Sequence, residues 1–146
     1  MAYQIISNLE NLVTPQKILG VSFSNENNVT FKPIYTSVDQ ASVNLKNLLL
    51  TRIGERYHQP TFGTNLLNVI FEPNIADLKE DILDLILEPI NYWLPYLNID
   101  NVEIITYEDD PTLNYSVTIS ITFSVNNLDT RTIKFNVSET GNLTVS

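Results

Sequence analysis

The run Leu113-Asn114-Tyr115-Ser116-Val117-Thr118-Ile119-Ser120-Ile121-Thr122-Phe123-Ser124-Val125 alternates apolar and polar side chains without a break. Successive residues of a strand point to opposite faces, so this period predicts one long β-strand with a buried face and a polar face. Downstream, residues 126–129 read as a turn, and residues 130–137 keep the same parity at Ile133, Phe135 and Val137. Thr140-Gly141-Asn142 marks a last turn before residues 143–145, where Leu143 and Val145 are placed to pair as a short edge strand. Upstream, residues 102–107 form a strand with apolar residues on both faces, turned by Glu108-Asp109-Asp110-Pro111.

Before that meander the period is helical. Val38, Ala41, Leu45, Leu48 and Leu49 form one stripe over residues 38–51, with Ser37 as N-cap, Gln40 completing a capping box and Gly54 terminating the helix. A short helix over residues 65–70 follows, capped by Thr64. Asn74 then caps a longer helix over residues 75–93, with a stripe of Ile75, Leu78, Ile82, Leu85, Ile86, Pro89, Ile90 and Trp93. Pro89 lacks a backbone donor and crowds the preceding turn, so a kink is expected there. At the N-terminal end, residues 1–13 have weak pattern and read as an arm or short helix. Residues 17–23 and 29–34 are extended around a polar loop at 24–28, and Pro33 disfavours a central strand. Helices first and strands afterwards indicate an α+β fold, with helices packed on one face of a C-terminal antiparallel meander. The whole of residues 1–146 is expected to form one domain, with 1–16 as its arm.

The bulk composition excludes several functions. The formal net charge is −9, which argues against a phosphate-tracking surface and hence a nucleic-acid partner. No apolar run reaches membrane-spanning length, and the first residues lack a secretion-signal pattern. Cysteine is absent, which removes disulfides, thiolate metal sites and cysteine catalysis. The Asn-x-Ser/Thr triplets at Asn28, Asn114, Asn136 and Asn142 read as chance in an Asn- and Thr-rich chain. Acids concentrate between Glu72 and Asp110, where Lys79 is the lone basic residue. This is a solvated face or a docking surface for a basic partner.

Little chemistry can be assembled from the rest. His58 is the single histidine, so neither a zinc spacing nor a second imidazole is available, and no nucleophile elbow accompanies it. The four glycines are scattered and form no phosphate cradle. A hydrolase built on two carboxylates would draw on Glu55, Glu72, Asp109 or Asp110, but seventeen acids supply such pairs by chance. Neither catalysis nor a cofactor is expected. The adjacent Glu55 and Arg56 read as a solvated pair or as part of a shaped connector that meets a partner, and Phe62 and Phe71 as anchors holding that connector to the core.

One segment is denser in signals than an idle loop requires: Leu50-Thr51-Arg52-x-Gly54-Glu55-Arg56-x-x-x-Pro60-x-Phe62-Gly63-x-x-Leu66, then Ile70-Phe71-Glu72-Pro73. It resembles the signature of the contractile-tail baseplate wedge and sheath-initiator family. Relatives of that family occur in T-even phages, contractile bacteriocins and type VI secretion baseplates. The resemblance runs from about Lys17 to Val137. It includes Leu19-Gly20-Val21-Ser22-Phe23 as the lead-in and Asn91-Tyr92-Trp93-Leu94-Pro95-Tyr96-Leu97 at the end of the long helix.

The resemblance implies a structural protein of a virion tail baseplate, assembled in the host cytoplasm in several copies around the tail axis. Its partners would be other wedge proteins and the tail sheath protein, with the tail tube a further candidate. The connector residues would be Arg52, Gly54, Glu55, Arg56, Pro60, Phe62, Gly63, Leu66, Phe71, Glu72 and Pro73. Trp93, Leu94, Pro95 and Tyr96 would contact the wedge core. The family commonly has Glu-Pro-Arg there, and in this chain Leu94-Pro95-Tyr96 lacks both charges, so any such contact is apolar. Ile133, Phe135, Val137, Leu143 and Val145 would mark the edge on which sheath strands pair, by β-augmentation. A lysozyme-like label has also followed the family, which makes a small acidic glycoside hydrolase the alternative.

Overall fold

Nine elements run in the order β1 (Gly20–Phe23), β2 (Phe31–Ile34), α1 (Ser37–Leu50), α2 (Leu66–Val69), α3 (Leu78–Trp93), β3 (Leu97–Ile105), β4 (Val117–Val125), β5 (Thr130–Val137) and β6 (Leu143–Val145). They come from a computed structural model that describes residues 17–23, 31–69, 78–106, 109, 116–125, 129–137 and 143–145. The expected arm, the loop at 24–28, the Asn74 cap, the turn at 140–142 and the connector residues Phe71, Glu72 and Pro73 lie outside those residues. So do Leu113 and Tyr115 of the alternating run.

The alternating run becomes β4, second in a four-stranded antiparallel sheet of order β3-β4-β5-β6. Val117, Ile119, Ile121, Phe123 and Val125 are all buried on one face, as their parity requires. The other face is less open than its polar residues suggest, because Ser120 and Ser124 are buried as well. A central strand has neighbours on both sides. Ser120 stands opposite Glu103 on β3 and Lys134 on β5, with a strand on either side of it.

β3 begins at Leu97, five residues before the expected start at Val102. The cause is a register shift between Ile99 and Asn101, which leaves Asp100 as an extra residue. Leu97 and Ile99 lie opposite Val125 and Phe123, and beyond the bulge Val102 and Ile104 lie opposite Ile121 and Ile119. The bulge therefore keeps odd-numbered and even-numbered apolar residues on one face.

Helices α1 and α3 cover that face. Val38, Ala41, Leu45, Leu48 and Leu49 of α1 are buried, and so are Leu78, Ile82, Ile86 and Ile90 of α3, spaced every fourth residue. They close one core with Ile119, Ile121, Phe123 and Phe135. Each such side chain contributes about 1.5–3 kcal/mol relative to exposure. Pro89 lies inside α3, which continues to Trp93, and Glu80, Asp81, Asp84 and Glu88 face solvent. The fold is α+β with helices on one face of an antiparallel sheet, as the sequence pattern implies.

Three local expectations need correction. Thr36, not Ser37, caps α1: its backbone is extended and its hydroxyl accepts from the Asp39 N–H at 3.2 Å. The same hydroxyl donates to the Asp39 carboxylate at 2.6 Å, so Thr36 and Asp39 brace the first turn of α1 together. Gly54 does not end α1. The helix stops at Thr51, whose backbone is extended and whose hydroxyl donates to the Asn47 carbonyl at 2.6 Å. Thr64 stands two residues before α2, which begins at Leu66, and so is not its N-cap. It donates back to the Leu49 carbonyl at 3.1 Å, satisfying an orphan acceptor at the end of α1.

β1 and β2 form a separate two-stranded antiparallel ribbon beside α1, with Gly20 opposite Ile34 and Val21 opposite Pro33. Pro33 is accommodated because a two-stranded ribbon has no central strand.

Candidate functional site

The connector between α1 and α2 is an Ω-type loop whose two ends meet, since Arg52 and Thr64 form a parallel bridge. The Thr64 N–H donates to the Thr51 carbonyl at 2.9 Å. Gly63 makes this approach possible. Its φ is 122°, and a Cβ there would stand 2.3 Å from the Thr51 carbonyl oxygen. Within the loop, the Gly54 N–H donates to the Pro60 carbonyl at 2.7 Å and the Phe62 N–H to the Gln59 carbonyl at 3.0 Å. Leu66 at its exit is buried in the core.

Glu55 and Arg56 do not pair with each other among the described residues. Glu55 accepts from the Arg52 N–H at 3.0 Å and donates its own N–H to the Arg52 carbonyl at 3.1 Å, tightening the turn. Arg56 lies over the Phe62 ring, 3.7 Å from its centroid. Such a cation–π contact contributes about 0.5–1 kcal/mol at an exposed site. Adjacency in sequence suggests an ion pair, whereas the turn sends the two side chains in different directions.

Phe62 anchors the connector as expected, and its partner is Trp93 at the end of α3. The rings meet edge-on at 5.2 Å between centroids, and Trp93 meets Tyr92 in the same manner at 5.1 Å. The two family-like segments thus converge on a continuous array of Arg56, Phe62, Trp93 and Tyr92. Edge-on ring pairs add about 0.5–1.5 kcal/mol beyond area burial. Two aromatics project outward from this region: Tyr92 is 75 % exposed, and Tyr57 at the loop tip is 93 % exposed.

At the helix end the four nominated residues separate. Leu94 is buried in the core and unavailable to a partner. It lies four positions after Ile90 and simply extends the α3 stripe, a signal the sequence already carries. Trp93 is half-buried, while Pro95 and Tyr96 are exposed. The Tyr96 hydroxyl accepts from Asn44 Nδ2 at 2.8 Å, and Asn44 in turn accepts from Gln40 Nε2 at 2.9 Å, which ties this corner to α1.

The nominated sheet edge also changes. β6 pairs with Phe135, Asn136 and Val137 of β5, so the backbone there lies between two strands. Ile133, Phe135 and Val137 all turn their side chains into the core. Leu143 and Val145 lie on β6, beyond β5. Among the described residues, no strand covers residues 130–134 of β5 on the β6 side. That open stretch borders a groove of about 690 Å³ shared with the β1–β2 ribbon and α1. Lys32, Lys46 and Arg131 line it with Asp39, and Arg131 pairs with Asp39 at 3.1 Å. On the opposite side of the sheet, β3 carries the Asp100 bulge and exposed Asp100 and Glu103, features that discourage pairing.

Of the acids nominated for hydrolysis, Glu55 and Asp109 lie among the described residues, and each is held by local partners. Asp109 accepts from Lys79 at 2.7 Å and from the Thr106 N–H and hydroxyl at 2.9 and 3.0 Å. The Lys79 hydrogen bond, with those from Thr106, holds its pKa down at about 2, the opposite of a proton donor at neutral pH. Glu55 is engaged by the backbone of its own turn, and Glu72 and Asp110 lie outside the described residues.

The sequence profile of the family described as baseplate wedge protein gp25 matches residues 37–129, from α1 through β4. No curated protein matches the chain. Among solved structures, the chain is similar to a Geobacter sulfurreducens protein provisionally described as a tail lysozyme. The TM-score is 0.61 at 16 % identity, over 72 % of this chain and 93 % of that one. It is also similar to a chain of the baseplate complex from the type VI secretion system, with a TM-score of 0.53 at 13 % identity, over 68 % of this chain and 90 % of that one. At such identities the likeness is one of fold.

Proposed function

This chain belongs to the baseplate wedge protein gp25 family, and on that premise we propose that it joins other wedge proteins and seeds the tail sheath, without catalysis. The family places it among structural components of a tail baseplate or of its secretion-system counterpart. The observation that carries the finer reading is the stretch of β5 that no strand covers among the described residues. A strand added along residues 130–134 would continue the sheet by main-chain hydrogen bonds, with alternate side chains setting register. Lys32, Lys46 and Arg131 beside it favour an incoming segment with acidic residues. The edge role thus moves from Phe135 and Val137 to the stretch preceding them.

Wedge-core binding is assigned to Tyr92, Pro95 and Tyr96, the exposed residues at the end of α3. Aromatic anchors of this kind dominate interface energetics. Multiple copies around the tail axis and an arm formed by residues 1–16 complete the proposal. Co-expression with the neighbouring wedge proteins tests it. The wild-type chain should co-purify as a stable complex, and Tyr92→Ala should weaken capture by about 30-fold, the scale of a 2 kcal/mol hot spot. Absence of any complex with the wild-type chain would contradict wedge membership. The lysozyme-like alternative requires lysis in a peptidoglycan zymogram, and none is expected.

A further inference from the structure

The stretch of β5 at residues 130–134 has two unlike faces. The Thr132 and Thr122 hydroxyls lie 3.0 Å apart, on the face that carries the polar residues of β4. Arg131 and Ile133 alternate with Thr132 and take the face covered by α1. Ile133 is buried there, and Arg131 reaches Asp39 of α1 at 3.1 Å. The groove on that side supplies matching chemistry to both residues. Lys32 and Lys46 are basic like Arg131, and Ile34 and Val43 are apolar like Ile133. Among the described residues neither lysine has an ion pair, so three cations face the single carboxylate of Asp39.

We propose, resting on strand addition at residues 130–134, that this groove selects the incoming partner strand by two of its side chains. They are a carboxylate and an apolar group two residues apart, on the same face. A strand laid beside β5 turns every second side chain toward α1. Those next to Arg131 and Ile133 are therefore separated by one residue, whichever way the strand runs. The first lies in the field of Arg131, Lys32 and Lys46, where a carboxylate is favoured and a lysine is repelled. The second lies against Ile133 and the apolar part of the groove. Asp39 already holds a carboxylate in the first position. Its Oδ1 takes Arg131, while its Oδ2 accepts from the Thr36 hydroxyl at 2.6 Å, so Asp39 keeps a partner when Arg131 is released. Both side chains of the pair are about half exposed, and such a pair holds weakly. An incoming carboxylate thus exchanges with Asp39 at little cost.

Titration of the isotope-labelled full chain with short synthetic peptides, followed at the backbone amides of residues 130–134 by NMR, tests this selection. The matched peptide alternates threonine with glutamate and valine, so that acid and apolar groups share one face. A second peptide has lysine for the glutamate. A third keeps the composition but moves the glutamate one position, onto the threonine face. The matched peptide should bind about tenfold more tightly than either, with a smaller margin at about 0.5 M salt. Asp39→Asn removes the competing charge and should tighten binding about threefold, whereas Arg131→Gln should cut the margin over the lysine peptide to about threefold. Equal binding of the three peptides, or no shift at residues 130–134 with millimolar peptide, would overturn the proposal. If the wild-type chain still seeds sheath in that case, strand addition stands without the two-residue selection. If it does not, both are lost.

Discussion

Phe135→Pro is expected to leave no folded protein. Phe135 is fully buried and stands between Ile119 on β4 and Val145 on β6. Removing its ring costs about 3–5 kcal/mol in lost burial and cavity formation together. Proline in a strand paired on both sides also removes a ladder hydrogen bond, which is why it is confined to edge strands and bulges. Together these losses approach the lower end of the stability of a typical domain, about 5–15 kcal/mol. Circular dichroism should show loss of the cooperative transition, whereas Phe135→Leu should retain it at a cost of about 1–2 kcal/mol. A cooperatively folded Phe135→Pro protein would refute the position of β5 inside the sheet.

Gly63→Val is expected to destabilise by about 3–4 kcal/mol. Two independent causes act on it: a β-branched residue at φ 122° is strained, and its Cβ would meet the Thr51 carbonyl oxygen at 2.3 Å and the Arg52 carbonyl carbon at 3.0 Å. Relief requires opening the Arg52–Thr64 bridge, which also frees the Leu49 carbonyl that Thr64 satisfies. At this chain length the melting midpoint should fall by roughly 8–12 °C. Gly54→Ala supplies the contrast. Its φ is 90°, but an added Cβ meets nothing within 4 Å, so about 1 kcal/mol is expected from conformation alone. Equal losses at the two glycines would show that the closed loop base contributes nothing.

Much of this fold is legible in the sequence because its period is clear. The alternation through Phe123 and the four-residue spacing of Ile82, Ile86 and Ile90 each match one geometry only. The failures share a physical form, in which neighbouring residues offer equivalent local solutions and tertiary contacts choose. Thr36 with Asp39 and Ser37 with Gln40 are equally good pairs for the start of α1, and only the extended backbone of Thr36 decides. The start of β3 was hidden because Asp100 bulges and interrupts the parity that a pattern reading depends on. Neither the cation–π contact of Arg56 with Phe62 nor that ring's meeting with Trp93 can be read from order, since the loop must first close on itself. The edge assignment holds for Leu143 and Val145, which lie on the terminal strand β6, and not for Phe135 and Val137, which lie between two strands. Strand identity was right, but which half of β5 is covered depends on the length of β6, a property of pairing rather than of composition.

Sheath growth on purified wedge complexes, followed by electron microscopy, tests the central claim most directly. Complexes containing this protein should seed sheath of the cognate sheath protein, and complexes lacking it should not. Sheath of equal length and yield from complexes without the protein would contradict the account.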